Sequence, residues 1–207
     1  MRKSSYYSRI FEDSTRHKKA KKIISILNRF VNLSRCNVLD IGTGSGNIIQ
    51  DISKECKKAT SVDIYDDRIV TQGYSFKKVD DEYLPFKDSS FDVVISNHTI
   101  EHVHNQKLHI AEMYRVLKKG GLLYLATPNK YSVRETHYKL PFISWFPRRV
   151  SSFLLKLIKN EEWNICPLSY SQLIKLTKKK FKVHNFTINV IKYPKKYLKT
   201  RSLTSFL

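Results

Sequence analysis

Apolar residues recur along the chain with two different periods, and each change of period marks the boundary of a predicted element. Residues 14–33 carry an apolar residue at helical spacing, which predicts an amphipathic helix. A short apolar run over residues 37–41 predicts a buried strand, and a helical pattern begins near residue 47. Later apolar runs predict strands over residues 60–64, 76–80 and 91–96 and from residue 122 onward. A helical pattern over residues 108–117 predicts one more helix. Strands that alternate with helices favour a parallel sheet.

The pattern becomes less regular in the last third of the chain. Residues 130–167 are rich in aromatic and basic residues and are too apolar for a flexible linker. Inside this segment, residues 151–159 predict a short basic amphipathic helix, which could lie on a membrane surface or bury its apolar face on the domain. Ser169 can cap a helix that extends to about Lys179. Alternation over residues 181–191 predicts one or two closing strands.

The turn after the first strand carries the residues with the clearest chemistry. It holds Gly42, Gly44 and Gly46, which allow a tight turn and expose backbone amides to a ligand. A dinucleotide-binding turn needs its third glycine at the sixth position of the motif, and Asn47 stands there instead. Asp40, just before the glycines, would repel a pyrophosphate and attract a cationic amine. S-adenosylmethionine carries such an amine and a sulfonium.

The run Asp-x-Gly-x-Gly-x-Gly that begins at Asp40 resembles the first motif of the class I S-adenosylmethionine-dependent methyltransferases. The resemblance implies an α/β, Rossmann-like fold, with a doubly wound, mostly parallel, seven-stranded sheet and helices on both faces. It also implies that Asp40 and the three glycines hold the methionine part of the cofactor. A single methyltransferase domain would then span residues 1–207, with a cofactor-binding core over 36–129, a substrate lid over 130–167 and a basic tail over 192–207.

Asp63 is the second candidate for cofactor binding. It stands 21 residues after Gly42, at the end of the predicted second strand. Open α/β sheets place an acid near this spacing, where its two oxygens accept hydrogen bonds from ribose hydroxyls. We therefore expect Asp63, with Ile64 beside it, in the cofactor site. A turn aspartate is the alternative interpretation, because Asp66 and Asp67 follow closely.

The segment around the predicted fourth strand extends the resemblance. Residues 80–96 resemble the connection between strands three and four in the small-molecule and lipid branch of these methyltransferases. This resemblance implies that Asp80 and the backbone of Asp81 face the adenine ring. Asn97 and His98 follow at the carboxyl end of the strand, where open α/β sheets bind ligands. We therefore expect these two residues to border the methyl group.

Four histidines follow the fourth strand or lie in the next helix, at positions 98, 102, 104 and 109. No cysteine accompanies them, and the spacing of the glutamate is not that of a zinc protease, so we predict no metal ion. His98 is a candidate general base, because histidine titrates near neutral pH. A hydrogen-bonding residue that lines the site is the alternative role for His98.

The third matching run covers residues 115–129, which resemble the helix end, glycine pair and fifth strand of the same branch. Lys119 stands where the family usually has proline, a change that does not touch the chemistry. The ending Thr127-Pro128-Asn129 is frequent in branches that act on glycans, lipids and quinone-like molecules. The resemblance as a whole covers about residues 36–129.

The net charge of +20 is concentrated in the two ends of the chain. Residues 1–35 carry +8, residues 130–207 carry +14, and the segment between them carries −2. The basic flanks favour an anionic partner, such as RNA, the headgroups of an anionic membrane surface or a phosphorylated substrate. Solvated lysines without a specific role are the alternative interpretation.

Cysteine content and hydropathy bear on the cellular location. The three cysteines are widely spaced and form neither a CxxC pair nor a metal-ligand pattern. No apolar run approaches the roughly 20 residues that a membrane-spanning helix needs. We therefore expect reduced cysteines and a cytoplasmic protein, with peripheral membrane contact through the basic flanks as an option.

These observations predict methyl transfer from S-adenosylmethionine to a small, lipid-linked or glycan acceptor. An RNA methyltransferase that uses the basic flanks is the first alternative, although Ser96-Asn97-His98-Thr99 lacks the Asn/Asp-Pro-Pro-Tyr motif of many base-amine methyltransferases. A non-catalytic scaffold would need a damaged cofactor site, whereas Asp40, Asp63 and the glycines are present. Asp40 and Asn47 argue against a dehydrogenase. The pattern makes no prediction of the oligomeric state.

Overall fold

The computed structural model describes residues 6–193 and residue 197. The helices are α1 (Tyr6–Leu27), α2 (Asn47–Ser53), α3 (Gln106–Val116), α4 (Arg148–Lys159), α5 (Tyr170–Thr177) and α6 (Thr187–Lys192). The strands are β1 (Asn37–Ile41), β2 (Lys58–Asp63), β3 (Ser75–Lys78), β4 (Phe91–Asn97) and β5 (Leu117–Ala126). The first five predicted strands are confirmed, although β5 begins directly after α3 rather than after the glycine pair.

The five strands form one parallel sheet in the order β3-β2-β1-β4-β5. β1 is central, and its Val38 and Leu39 are completely buried because helices cover both faces of the sheet. The strand order reverses between β1 and β4, and this reversal opens the crevice in which such sheets bind ligands. The predicted α/β, Rossmann-like fold class is therefore confirmed.

Successive residues of β1 belong to two separate apolar layers. Val38 belongs to the layer that contains Ile23 of α1 and Ile49 of α2. Leu39 belongs to the layer that contains Ile110 of α3. Because neighbouring strand residues point to opposite faces of a sheet, α1 and α2 cover one face and α3 covers the other.

The prediction of seven strands is wrong for the described residues, which form five. Residues 181–191, predicted as closing strands, form an irregular segment followed by α6. Their apolar side chains pack against helical neighbours: Phe181 lies edge-to-face with Tyr114 of α3, and Phe186 with Phe30 just after α1. β5 therefore forms an edge of the described sheet and lines a cavity of about 1170 Å³.

The first helix is displaced from its predicted position. It spans Tyr6–Leu27 rather than residues 14–33, and the amides of Phe30 and Val31 both donate to the carbonyl of Leu27 and close it. None of the helices in the described part of the chain is both long and apolar enough to cross a membrane.

The segment predicted as a lid, residues 130–167, is a folded insertion with a small core of its own. An isolated parallel bridge between Asn129 and Leu168 closes its base. Its core side chains are Tyr138, Ile143, Leu155, Trp163 and Ile165. Its function as a lid and the domain boundaries stay predictions, and most of the predicted tail over 192–207 lies outside the described residues.

The short amphipathic helix predicted over residues 151–159 is confirmed as α4. It begins three residues earlier than predicted, at Arg148. Leu155 is buried in the core of the insertion, whereas Phe153 and Leu157 are 67% and 71% exposed. The helix thus anchors itself with one face and leaves apolar side chains on another.

Candidate active site

The carboxyl ends of the strands bring most of the predicted site residues to one edge of the sheet, which we call the carboxyl edge. Ile41 of β1 is in register with Val62 of β2 and with Ser96 of β4, and Asn97 of β4 is in register with Ala126 of β5. The glycine turn and the residues that follow β2 and β4 therefore face a common crevice.

The glycine turn has a backbone that only glycine adopts without strain. Gly42, Gly44 and Gly46 have φ angles of +84°, +52° and +85°. A β-carbon on Gly42 would lie 2.3 Å from Thr99 Oγ1, and one on Gly46 would lie 2.1 Å from the carbonyl oxygen of Val70. Side chains are thus excluded at the first and third glycines by the protein itself.

Gly44 differs from its two neighbours because its missing side chain faces open space. The nearest atom to a β-carbon there would be Arg16 Nη1, at 3.9 Å. Its φ of +52° lies in the left-handed region that other residues reach at a cost of about 1 kcal/mol. The protein itself therefore has room for a methyl group at Gly44. A ligand bound close to this backbone would collide with that methyl group.

We accordingly expect Gly44→Ala to leave the fold intact and to weaken binding of S-adenosylmethionine at least tenfold. Isothermal titration calorimetry and thermal unfolding measure the two effects separately. Gly120→Ala is the matched control, because Gly120 also has a positive φ (+76°), lies in the amino-terminal half of β5, and would give its new β-carbon no neighbouring atom within 4 Å. Equal cofactor affinity in the two variants would contradict a ligand over Gly44.

Asp63 is tied to the glycine turn by its carboxylate. Its Oδ2 accepts a hydrogen bond from the amide of Gly44 at 2.9 Å, and its Oδ1 accepts one from the amide of Ile64 at 2.7 Å. It is the last residue of β2 and is half-buried. The structure therefore brings Asp63 and the glycine turn together as predicted, and the carboxylate also fixes the position of the turn.

Asp40 lies inside β1 and is 3% exposed. Burial, and to a lesser degree repulsion from Asp63, raises the pKa of Asp40 to about 8. At pH 7 this carboxyl is mostly protonated, and a cation beside it would favour the ionised form. The carboxyl groups of Asp40 and Asp63 thus place negative charge, or a group that can ionise, beside the glycine turn. This electrostatic environment suits an ammonium or sulfonium ligand.

The other predicted cofactor residues lie on the rim of the crevice. Ile64 follows β2 directly and is 47% exposed. The amide of Val79 donates to the carbonyl of Asp63, which extends the pairing of β3 with β2 by one residue. Asp80 is the next residue and lies just beyond this pairing. Asp81 is exposed, and its Oδ1 accepts a hydrogen bond from its own loop. Contact of Asp80 and Asp81 with an adenine ring stays a prediction.

On the other side of the switch point, β4 ends with Asn97, and His98 adopts a left-handed backbone with φ +60°. The amide of His98 donates to the carbonyl of Ala126, which holds the turn against β5. Burial, and then the charge of Lys19, lowers the pKa of His98 to about 4. His98 is therefore neutral at pH 7 and can accept a hydrogen bond or a proton, although as a weak base.

Glu101 is a buried carboxyl group beside His98. It is 1% exposed, and its Oε1 lies 3.6 Å from His98 Nδ1. Its Oε2 accepts a hydrogen bond from Thr127 Oγ1 at 2.9 Å. Burial raises the pKa of Glu101. The neighbouring His137 comes from the insertion, and no local sequence signal connects it with the residues after β4.

Comparison with known proteins supports the predicted methyltransferase. Residues 39–125 match the family model described as a methyltransferase domain. The chain is 30% identical over 110 residues to a malonyl-[acyl-carrier protein] O-methyltransferase of Coxiella burnetii. The aligned region covers 52% of this chain and 39% of that protein. The chain is 30% identical over 111 residues to the mitochondrial ubiquinone biosynthesis O-methyltransferase of Rattus norvegicus, covering 47% and 32% respectively.

A solved structure shares the fold over a longer stretch. A putative methyltransferase from Bacillus halodurans superposes with a TM-score of 0.56 at 21% identity, covering 78% of this chain and 69% of that one. The chain spans about two fifths or less of the length of the two curated relatives described above. S-adenosylmethionine is the cofactor of this family. The segment over residues 39–125 is thus similar to a methyltransferase domain, and its parallel Rossmann-like sheet agrees with the fold of the class I S-adenosylmethionine-dependent methyltransferases.

Proposed function

We propose that the protein transfers the methyl group of S-adenosylmethionine to a small apolar or lipid-linked acceptor. The observation that carries this acceptor class is a patch of exposed apolar side chains on the insertion, close in the chain to His137 and flanked by basic residues. The coarser activity, methyl transfer, rests on the family match and on the carboxyl edge described above.

In this proposal the cofactor lies across the glycine turn. Asp40 faces the methionine amine, and the amides of the turn approach its backbone-like end. Asp63 accepts hydrogen bonds from the ribose hydroxyls, and Asp80 and Asp81 border the adenine. Asn97 and His98 then border the methyl group. Since the cofactor supplies the reactive methyl sulfonium, these residues act by position and electrostatics.

Methyl transfer is an in-line displacement at carbon. The acceptor attacks the methyl carbon while the carbon–sulfur bond breaks, and the electron pair of that bond goes to sulfur. A hydroxyl acceptor loses its proton in the process, and His98 is the neutral side chain placed to receive it. A phenolate, enolate or amine acceptor needs no such base, and His98 would then orient the acceptor by hydrogen bonding.

The apolar patch, which we call the insertion surface, follows one side of α4. Its members are exposed by 41% to 71%, and they are Trp145, Phe146, Val150, Phe153, Leu157 and Ile158. Soluble proteins rarely leave a large contiguous apolar patch without a partner, and four of these six side chains lie on α4 itself. Residues 136–160 contain no acidic residue, while Arg148, Arg149, Lys156 and Lys159 lie within α4. This combination suits a helix at the surface of an anionic membrane.

Known relatives support an acceptor of this class. Besides the two methyltransferases compared above, the chain is 32% identical over 116 residues to a sterol 4-C-methyltransferase of Caenorhabditis elegans, covering 49% of this chain and 35% of that protein. The names of these relatives refer to an acyl carrier, to ubiquinone biosynthesis and to a sterol.

Incubation of the protein with methyl-labelled S-adenosylmethionine and a cell extract tests the acceptor class. We expect label in the organic-soluble fraction. Label that is lost on RNase treatment would instead support the RNA alternative through the basic flanks, and label in a glycan fraction would point to the glycan acceptor. Label that stays on protein and is not released by cleavage of a thioester would contradict each of these acceptors.

We expect the double substitution Phe153→Ser and Leu157→Ser to reduce binding to vesicles of anionic phospholipid at least fivefold, because both side chains are more than two-thirds exposed. Flotation with such vesicles measures the binding. Ile188→Ser is the matched control, since Ile188 is 61% exposed on α6, outside the insertion surface. Equal loss in the control, or no binding by the unaltered protein, would contradict a membrane function for α4.

A further inference from the structure

Three potential metal ligands from two separate segments meet beside the carboxyl edge. Glu101 and His102 follow β4, and His137 comes from the insertion 35 residues after His102. One ligand atom from each lies within 4.8 Å of the other two. His102 Nε2 and His137 Nε2 are 3.2 Å apart, and His137 Nε2 is 3.9 Å from Glu101 Oε1.

Glu101 supplies an independent sign that a ligand belongs here. Its Oε1 is fully buried and has no hydrogen-bond partner among the described residues. Its other oxygen is occupied by Thr127 Oγ1. A buried carboxylate oxygen without a donor is costly, and a bound cation is one of the few partners that relieves this cost.

The orientation of His137 also suits a metal ligand. Its Nδ1 lies 2.8 Å from Glu135 Oε1, and a carboxylate only accepts hydrogen bonds, so the proton between them lies on Nδ1. The lone pair of the neutral ring then lies on Nε2, which faces His102 and Glu101. Metal-binding histidines characteristically donate their second nitrogen to a carboxylate in this way.

A hydrogen bond between the two histidines accounts for part of this arrangement. His102 Nε2 can donate to His137 Nε2 at their separation of 3.2 Å. That bond leaves Glu101 Oε1 without a partner, however, whereas an ion among the three atoms satisfies all of them. Glu101 and Glu135 also give the cluster two carboxylates to balance a divalent charge.

We propose that Glu101, His102 and His137 bind one divalent transition-metal ion, with Zn²⁺ the best match to two imidazoles and a carboxylate. Bonds of about 2.0–2.1 Å in a tetrahedral site place neighbouring ligand atoms about 3.3 Å apart. The two histidine nitrogens already meet this spacing at 3.2 Å, whereas Glu101 Oε1 has to move closer from its 3.9 Å separation from His137 Nε2. The proposal departs from the sequence-based prediction of no metal, which did not connect His137 with this region.

The position of the ion gives it a role that rests on the proposed methyl transfer. His98 Nδ1 is 3.6 Å from Glu101 Oε1, so the ion lies next to the expected acceptor site. Three protein ligands leave a position open for an acceptor oxygen, whose hydroxyl proton the ion would make more acidic. That proton passes to His98 or to water, the oxygen bonds to the methyl carbon, and the carbon–sulfur pair goes to sulfur.

Titration of the chelator-treated full chain with Zn²⁺ in a calorimeter tests the site directly. We expect one ion per chain, and at least tenfold weaker binding in His137→Ala and in Glu101→Gln. His102 and His137 are exposed, so replacing them spares the core. His104→Ala is the matched control, because it removes a nearby exposed histidine outside the cluster. Absence of binding, or equal affinity in His137→Ala and His104→Ala, would overturn the proposal.

Co²⁺ absorption provides a second readout that does not depend on activity. A ligand-field spectrum that appears in the unaltered protein and disappears in His102→Ala supports the site, and an unchanged spectrum overturns it. The proposed methyl transfer is judged separately, by labelling in parallel with Zn²⁺ added and with a chelator. Transfer without any Zn²⁺ binding removes the metal site alone, whereas Zn²⁺ binding without transfer removes the proposed function alone.

Discussion

We expect Asp40→Asn to abolish tight binding of S-adenosylmethionine while it stabilises the ligand-free protein. Asparagine has nearly the shape of aspartate and carries no charge. It therefore removes the attraction to the cofactor amine and the penalty of a buried carboxyl next to Asp63. Loss of a buried charged hydrogen bond of about 1.5–3 kcal/mol corresponds to a fall in affinity of roughly ten- to a hundredfold.

The gain in stability depends on pH with a definite sign. The pKa of Asp40 rises from 3.8 to about 8 on folding, so the native state holds a proton that the unfolded state releases between these values. The free energy of unfolding attributable to Asp40 therefore falls as pH rises from about 4 to about 8. Asp40→Asn should match the unaltered protein near pH 4 and exceed it by about 2–5 kcal/mol at pH 9.

Urea unfolding at several pH values measures the stability of Asp40→Asn, and calorimetry measures its cofactor affinity. Asp88→Asn is the matched control, since Asp88 has a 76% exposed side chain before β4, away from the carboxyl edge. That variant should leave the cofactor affinity unchanged. Asp40→Asn with unchanged affinity would remove Asp40 from the proposed cofactor site.

Gly46→Ala has the second large expected effect, on folding. The new β-carbon would lie 2.1 Å from the carbonyl oxygen of Val70 and 2.3 Å from the hydroxyl of Tyr74. The amides of Ile69 and Val70 both donate to the carbonyl of Ser45. These two hydrogen bonds hold the backbone of residues 69–70 against the glycine turn, so Val70 cannot easily move away from Gly46. Because a backbone atom cannot move aside cheaply, we expect the free energy of unfolding to fall by about 3 kcal/mol or more.

Backbone strain alone does not produce this loss, and Gly120→Ala separates the two contributions. Gly120 has a φ of +76°, close to the +85° of Gly46, and a β-carbon there meets no atom within 4 Å. Its replacement should cost about 1–2 kcal/mol. Chemical denaturation of both variants makes the comparison, and equal losses would show that the turn is not packed against residues 69–74.

The meeting of Asp40, Asp63 and the glycine turn at one edge of the sheet could be predicted because these residues are local in sequence. Asp40 and the three glycines lie within seven residues, and Asp63 follows at the spacing set by one strand–helix–strand unit. Strand ends in a parallel sheet meet at one edge, so identifying the strands was sufficient to bring these residues together. The burial of Asp40 also follows from its place in the central strand.

The remaining parts depend on tertiary contacts that the pattern does not encode. Residues 181–191 alternate as a strand would, but Phe181 and Phe186 pack on α3 and on Phe30 instead of beside β5. His137 reaches Glu101 only because the insertion folds on its own core. Thr99, which fills the space above Gly42, lacks any motif of its own.

Binding of S-adenosylmethionine to the purified chain tests the central claim most directly. Calorimetry should detect one site with a dissociation constant between about 1 μM and 1 mM, the usual range of enzyme substrates. S-adenosylhomocysteine should compete, and Asp63→Ala should bind at least tenfold more weakly, because Asp63 would contact the ribose and also holds the amide of Gly44. Absence of binding, or full affinity in Asp63→Ala, would contradict a cofactor site at the carboxyl edge.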